Sequence, residues 1–562
     1  MSQIEISFST PRKKSALLSA QKTWERFSYY GVRALLVLYL IRPMSYPGNP
    51  GRGWSESDAN LLFGWYAGLI FLLPVIGGYV TGKVLGERRS VLLGGITLTL
   101  ALALLASCEI EPMASSPYES GAFAAALVLL ALGTGFFRPS SAAEQDQLVT
   151  RATLAPGSTE PGAPPPQVAS RVASAPGVAS THRGLTSLGI NVGVFACVLL
   201  CGTLGEAVRW PWGFAALAVT MLMGFITYDA GARGTEPDAG RGRWGLAIVL
   251  FAFSLAIAAT IGWLYQTRNL GWITAYILAL WQNDAFRTSV PASVGPLLLG
   301  LIIWYIAIQE KGYRAATAAV LILIIFYGLF WLAFHQMGST LNEFAQRSVN
   351  REIRDWNVPF INRRITLWEI PVTWFQALNV LLIVLFAPLF ARFAHSSSGH
   401  GRPEATTIGI ALLVLGLGFG VLTFAASQTA EDTKVALPWF LVAFAVITLA
   451  ELILVPAGFA FIQRIIPDRP TQILVSVSFV VLFVSNLAGG VIASYAESIE
   501  RGEIRLPWYR WFRAFDDSGS ALPGRGWADF FFLFVVISLG AGIVALLYAP
   551  LHKRLVRLSH AS

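Results

Sequence analysis

Charge is what this sequence has least of. Asp, Glu, Lys and Arg make up 13% of its 562 residues, about half the share of an ordinary soluble domain. Such a chain cannot clothe a large water-facing surface, which excludes a soluble globular class. Cysteine is scarce as well. The three present, Cys108, Cys197 and Cys201, lie in or at the ends of apolar runs, and an odd, embedded set argues against a disulfide framework. Cys197 and Cys201 stand four apart with no His or third Cys nearby, so they read as small apolar filler rather than metal ligands. No metal-ligand cluster, phosphate loop or nucleophile–base pairing occurs at motif spacing. The sequence therefore points away from an enzyme, and no cofactor or metal is expected. The first apolar run is not preceded by a short apolar stretch with a small-residue cleavage site, so it is expected to be retained. The formal net charge of +9 comes from basic residues scattered among short loops, a pattern of membrane orientation rather than of nucleic-acid binding.

What the sequence has in abundance is long apolar runs: 55% of its residues are hydrophobic. Runs of roughly 18–25 residues recur along nearly its full length, each able to cross a hydrocarbon core of about 30 Å as a helix. They are too long and too continuously apolar for barrel strands. Fourteen spans are expected: Leu18–Ile41, Asn60–Gly82, Ser90–Ser107, Gly121–Gln147, Gly184–Gly202, Pro211–Tyr228, Trp244–Tyr265, Val294–Ile308, Tyr313–Gly338, Val372–Phe393, Thr406–Ala426, Leu437–Ile465, Ile473–Ala493 and Phe530–Leu551. Both termini are expected in the cytoplasm. That puts Lys83, Arg88, Arg89, Lys311, Arg314, Lys553 and Arg554 inside and the acidic loop with Glu109, Glu111 and Glu119 outside, as the positive-inside rule prefers. A longer outside loop with Arg347, Arg351, Arg354, Arg363 and Arg364 runs against the rule. Thr150 to Arg183, rich in Pro, Ala, Gly and Ser, reads as a flexible cytoplasmic linker. Asn269–Trp281 is apolar but too short to span, which predicts an interfacial helix anchored by Trp272 and Trp281. The bias toward Arg over Lys, and toward Ala and Gly, fits a bacterial inner membrane.

One stretch breaks the apolar pattern. Lys22 to Arg33 carries charge into the first span, and at about 100° per residue Arg26, Tyr29, Tyr30 and Arg33 share roughly a third of the helix circumference. Each charge at the centre of a spanning helix costs roughly 2.5–3.5 kcal/mol, so two arginines in one span need partners or a water-filled cavity. The spans near Trp244 and Val294 carry almost no such charge and look peripheral. Setting them aside leaves two sets of six. The expected division is therefore 1–229, an inter-bundle segment 230–312 with two extra helices, and 313–562.

Twelve spans in two halves resemble the major facilitator superfamily, whose sites lie near the midplane between the halves. The segment Gly77 to Ser90 resembles that superfamily's loop motif, with Gly82 where its acidic residue is expected. The proton-dependent oligopeptide transporter family is resembled more specifically. Its first-span signature is matched from Glu25 to Gly31, and its fourth-span run by Gly133-Thr-Gly135-Phe-Phe-Arg138-Pro139. Further matches are Ile190-Asn191-Val-Gly193, Phe330-Trp331 through His335-Gln336, Leu378-Asn379 with Ala387-Pro388, and Glu451 through Pro456-Ala-Gly458.

The resemblance implies proton-driven import of di- and tripeptides by alternating access. It assigns Arg26 and Arg33 to the peptide carboxylate and Glu451 to its amino terminus. Tyr29, Tyr30, Asn191 and Asn379 would bind its backbone, with Trp331 beside them. A zwitterion leaves water only when both ends find charge-assisted partners, so the assignment is physically coherent. Lys22 replaces the signature's first glutamate, Arg138 a lysine and His335 an acid, while Phe71 and Ser478 replace Tyr and Trp. Arg138 keeps an anion-binding charge but does not readily release a proton, and Lys22 can pair with Glu25. His335, with an ordinary pKa of about 6.5, can change charge near neutrality. His335 and Glu25 together are thus expected to carry the coupling proton. The partners implied are a small peptide, protons and the bilayer. A runner-up follows from charge: Lys22, Arg26, Arg33 and Arg138 outnumber Glu25 and Glu451, which favours an uncoupled or exchanging anion carrier. A non-transporting sensor on the same fold is a third, weaker reading.

Overall fold

The computed structural model describes residues 23–24, 26–153, 191–232, 243–267, 303–358, 363–396, 404–428, 434–455, 472–512 and 526–561, with 296, 299–300, 462 and 465. Lys22, Glu25, the predicted interfacial helix Asn269–Trp281 and most of the predicted linker lie outside the described residues. Eleven helices among those described are long and apolar enough to cross a membrane. Their bounds follow the apolar runs: Glu56–Leu85, Arg88–Ser107, Trp210–Asp229, Trp244–Gln266, Glu404–Ser427 and Ile473–Ser494 overlie the spans expected there.

The helices used below are α1 (residues 26–41), α2 (Glu56–Val80), α3 (Glu87–Ser107), α4 (Glu119–Thr153), α5 (residues 191–202), α6 (Trp210–Ala232), α7 (Arg243–Thr267), α8 (Lys311–Phe334), α9 (Thr340–Ser348), α10 (Thr373–Ser396), α11 (Glu404–Ser427), α12 (Leu437–Leu454), α13 (Gln472–Ser494), α14 (Ala496–Glu500), α15 (Tyr509–Phe512) and α16 (Gly526–Ala561). The all-helical expectation needs one small addition. Strands β2 (Glu352–Val358) and β3 (Arg363–Glu369) form an antiparallel hairpin, and two-residue strands β1 (Val349–Asn350) and β4 (Val435–Ala436) pair in parallel. The hairpin occupies the basic loop that the charge rule left unexplained.

Contacts divide the chain into two compact units: 1–35 with 69–280, and 36–68 with 281–562. The division falls inside α1 and α2, so each of these helices belongs in part to either unit. In unit 1, α3 packs on α4 and α6, and α7 lies on α4. Close approach there relies on small residues: a Cβ on Gly77 would collide with the Gly135 carbonyl, and one on Gly121 would stand 2.8 Å from the Gly262 oxygen. Where burial in lipid adds little hydrophobic drive between helices, such backbone proximity is what holds them. The span Trp244–Gln266 is the least buried of the eleven, in keeping with a peripheral position. The superfamily-like loop is built from a π-helical turn at Thr81–Leu85 and Gly86 at φ +80°, a conformation open to glycine at little cost. Arg88 pairs with Asp229 at 3.4 Å, and the Arg89 guanidinium lies over the Trp244 ring. A Cβ on Gly82 would meet nothing within 4 Å, so the missing acid is not a matter of space.

In unit 2, α11 packs on α12 and α16, and α8 on α13 and α16. Aromatic rings fill the core: Phe344 meets Phe531 edge-on at 4.9 Å, and Phe375 meets Phe440 at the same separation. The helix expected to end at Gly338 does not end there. After α8 the backbone tightens into a 3-10 turn over His335–Gly338 and resumes as α9, whose residues Thr340–Ala345 are all buried. The polar residues of α9 suggested a loop, but tertiary burial overrides that local signal.

Candidate functional site

Two clusters of predicted residues form, one in each unit. In unit 1 the polar residues of α1 differ in burial. Arg26 is exposed, Tyr29 and Tyr30 are half-buried and Arg33 is buried. The tyrosine rings stand edge-to-face, with centroids 5.2 Å apart. Arg138 of α4 places its guanidinium 4.8 Å from the Tyr29 ring centroid and 5.8 Å from that of Phe71 in α2. A guanidinium over aromatic faces gains roughly 0.5–2 kcal/mol, depending on its exposure. The stacking holds the plane of the guanidinium. Phe71, noted from sequence only as a departure from the family pattern, is part of this support. Asn191, at the first described position of α5, is half-buried. The structure does not join it to the Arg138 cluster.

In unit 2 the predicted pair Asn379 and Glu451 does come together, although 72 positions separate the two residues. Asn379 Nδ2 donates to Glu451 Oε2 at 3.0 Å and to Thr448 Oγ1 at 3.1 Å. The Thr448 hydroxyl donates to the Phe444 carbonyl at 2.8 Å, which leaves its oxygen free to accept. All three side chains are buried. Trp331 of α8 packs against Tyr327 at 6.0 Å, and Tyr327 lies within electrostatic reach of Glu451. The Trp331 Nε1 atom is buried beside the Tyr327 hydroxyl. Thr448 and Tyr327 were missed by the sequence reading. Their signals were one helical turn away, since Thr448 precedes Glu451 by three and Tyr327 precedes Trp331 by four.

His335 is buried in the 3-10 turn rather than in a regular helix, its ring 4.9 Å from that of Phe63. A Cβ on Gly489 would come within 3.2 Å of its Cδ2 atom. Its proposed partner Glu25 is outside the described residues. Toward the end of unit 2 that the charge rule places outside, Arg347 of α9 ion-pairs with Glu56 of α2 and lies 3.7 Å from Glu500 of α14. Burial pushes the Glu500 carboxyl above its ordinary range, and Arg347 draws it part of the way back. No group of three or more His, Cys, Asp or Glu able to hold a metal occurs among the described residues.

Comparison with known proteins gives one consistent result. The chain is 27% identical over 518 residues to the peptide transporter YePEPT of Yersinia enterocolitica, covering 87% of this chain and 89% of that one. It is 25% identical over 469 residues to a di-/tripeptide transporter of Lactococcus lactis subsp. cremoris, covering 82% and 84%. These relatives are transporters rather than enzymes. In fold it is similar to a crystal structure of the peptide transporter POT in complex with sulfate, with a TM-score of 0.68, 22% identity and coverage of 97% and 95%. A bacterial homologue of the human drug peptide transporters PepT1 and PepT2 is similar at a TM-score of 0.65, 23% identity and coverage of 97% and 100%. The fold is thus the major facilitator arrangement of solved peptide transporters. The POT family profile matches residues 185–511, more than half the chain; this multi-pass membrane protein belongs to the POT family.

Proposed function

We propose that this transporter carries di- and tripeptides, or peptide-like solutes, by alternating access as a proton symporter. The observation that carries the reading is the Asn379–Glu451 pair: a buried carboxylate held by an amide, itself steadied by the Thr448 hydroxyl, is suited to receive an ammonium group. Arg138, stacked on Tyr29, and Arg26 and Arg33, on the same helix as that tyrosine, are assigned to the peptide carboxylate, since a zwitterion needs charge-assisted partners at its two ends. Asn191, Tyr30 and Trp331 are assigned to its backbone, and Lys22, Glu25, Arg26 and His335 to proton coupling and gating. Residues 1–229 and 313–562 act as the two moving halves, with 230–312 as an insertion between them. The setting is a bacterial inner membrane, with both termini in the cytoplasm.

The test is uptake of a labelled dialanine-type peptide into proteoliposomes, with and without an inward proton gradient, for wild type and Glu451→Gln. Gradient-driven accumulation lost in the variant supports the reading. Absence of peptide flux or competition in the wild type rejects it and turns attention to the anion carrier that the surplus of arginines would serve.

A further inference from the structure

Beneath the Glu56–Arg347–Glu500 ion pairs lies a carboxyl that no motif marked. Glu343 of α9 and Asn60 of α2 are both fully buried, at 0% exposure. Asn60 Nδ2 donates to Glu343 Oε2 at 3.1 Å. The other two oxygens of the pair, Glu343 Oε1 and Asn60 Oδ1, are buried as well, and neither has a hydrogen-bond partner among the described residues. Both are acceptors, so the pair lacks one donor.

An ionised Glu343 does not supply it, because a carboxylate only accepts. It would sit as a buried charge served by a single neutral N–H, which costs several kcal/mol. A neutral acid brings the missing O–H and can give it to Asn60 Oδ1, closing a reciprocal acid–amide pair. The charged and titratable groups on the surrounding elements do not offer a better solution. Arg347, one turn further along α9, is engaged with Glu56 of α2 and Glu500 of α14. Arg351 is bound to Glu369 at 2.6 Å. His335, in the turn before α9, packs on Phe63. Asp529 of α16, the helix whose Phe531 meets Phe344, adds only further acid.

We propose that Glu343 is a proton-binding residue of the transport cycle, loaded while Asn60 is packed on it and unloaded when Asn60 withdraws. This rests on the reading of proton-linked transport given above. The means of unloading is built into α2. Asn60 lies in the part of that helix counted with unit 2, but the same helix continues from Leu69 as part of unit 1. A shift of α2 away from α9 takes the amide from the acid and admits water. The carboxylate is then solvated, and the proton passes to water. On return, one proton is taken from water and the acid–amide pair closes again. Glu343 thereby offers a titrating acid in a chain whose usual positions carry Lys22, Arg138 and His335.

The experiment uses the full chain in liposomes and has two independent readouts. Infrared difference spectroscopy of wild type against Glu343→Gln is expected to show a carboxylic-acid carbonyl band at neutral pH that the substitution removes. Transport is expected to separate into two parts: Glu343→Gln exchanges peptide down its gradient but no longer accumulates it under an imposed proton gradient. Glutamine keeps a donor and an acceptor for Asn60, so the variant should fold. If it does not, Asn60→Ala replaces it, and the acid band must move toward the frequency of an unbonded carboxyl. A spectrum unchanged by either substitution, or accumulation equal to wild type in Glu343→Gln, overturns the proposal. If the wild type moves no peptide, the functional reading fails, while the infrared band still decides whether Glu343 holds a proton.

Discussion

Replacing Asn379 by alanine tests the candidate site at its most explicit contact. In the structure its amide gives one hydrogen bond to the Glu451 carboxylate at 3.0 Å and another to Thr448 at 3.1 Å. A hydrogen bond to a charged group contributes about 1.5–3 kcal/mol. If Glu451 must stay charged and oriented to receive the amino terminus, Asn379→Ala weakens peptide binding by about 10- to 150-fold, at about 1.4 kcal/mol for each factor of ten. The loss should be confined to peptides with a free amino group. An N-acetylated peptide, which already lacks the ammonium, should bind the variant and wild type equally poorly. Equilibrium binding by calorimetry, for wild type, Asn379→Ala, Glu451→Gln and the double variant, closes a cycle. Residues in direct contact couple by about 0.5–3 kcal/mol, so the double variant should bind more tightly than the two single losses added together. Additive losses, or equal weakening of free and acetylated peptides, would refute the argument that Asn379 acts by presenting Glu451.

Three further outcomes are expected. Arg138→Lys retains the charge but loses the planar stack over Tyr29 and Phe71, so peptide affinity should fall while peptides amidated at the carboxyl end are unaffected; unchanged affinity for free peptides would remove Arg138 from the anion-binding end. His335→Ala should abolish proton-driven accumulation in liposomes, and full accumulation would exclude His335 from coupling. Arg347→Gln bears on stability: Glu500 is held above its ordinary carboxylate range by burial and partly restored by Arg347. A carboxyl raised in the folded state binds protons more tightly there than in the unfolded chain. Its contribution is therefore present below the ordinary Glu range and is lost as pH rises through the folded value. Without Arg347 that value climbs further, so thermal unfolding of the variant in detergent should fall more steeply from acid toward neutral pH than that of wild type. Parallel curves would contradict this.

The polar residues of the first span stood out in the sequence for a physical reason. Arg26, Tyr29, Tyr30 and Arg33 are legible because charge in an apolar run is costly and helical spacing fixes their common face. Asn379 and Glu451 were legible through motifs and then proved to be hydrogen-bonded. Glu343 was not legible. It follows a stretch that reads as a helix end, and its partner Asn60 is 283 positions away. Nothing local announces that α9 is buried. The hairpin β2–β3 was hidden in the same way, by a run of arginines that reads as loop.

The sequence by itself determined that the chain crosses the membrane many times as helices, because apolar length and the need to satisfy backbone hydrogen bonds in lipid leave no other solution. It also determined which residues bring polarity into those helices. Tertiary structure alone decided which of them meet: Arg138 with Tyr29 and Phe71, Asn379 with Glu451, Asn60 with Glu343. Beside Asn60 the helices approach closely at Gly64 and Gly490, where a Cβ on Gly64 would stand 2.7 Å from the Gly490 Cα. Contact across hundreds of residues is a property of packing, which periodicity along one helix does not encode.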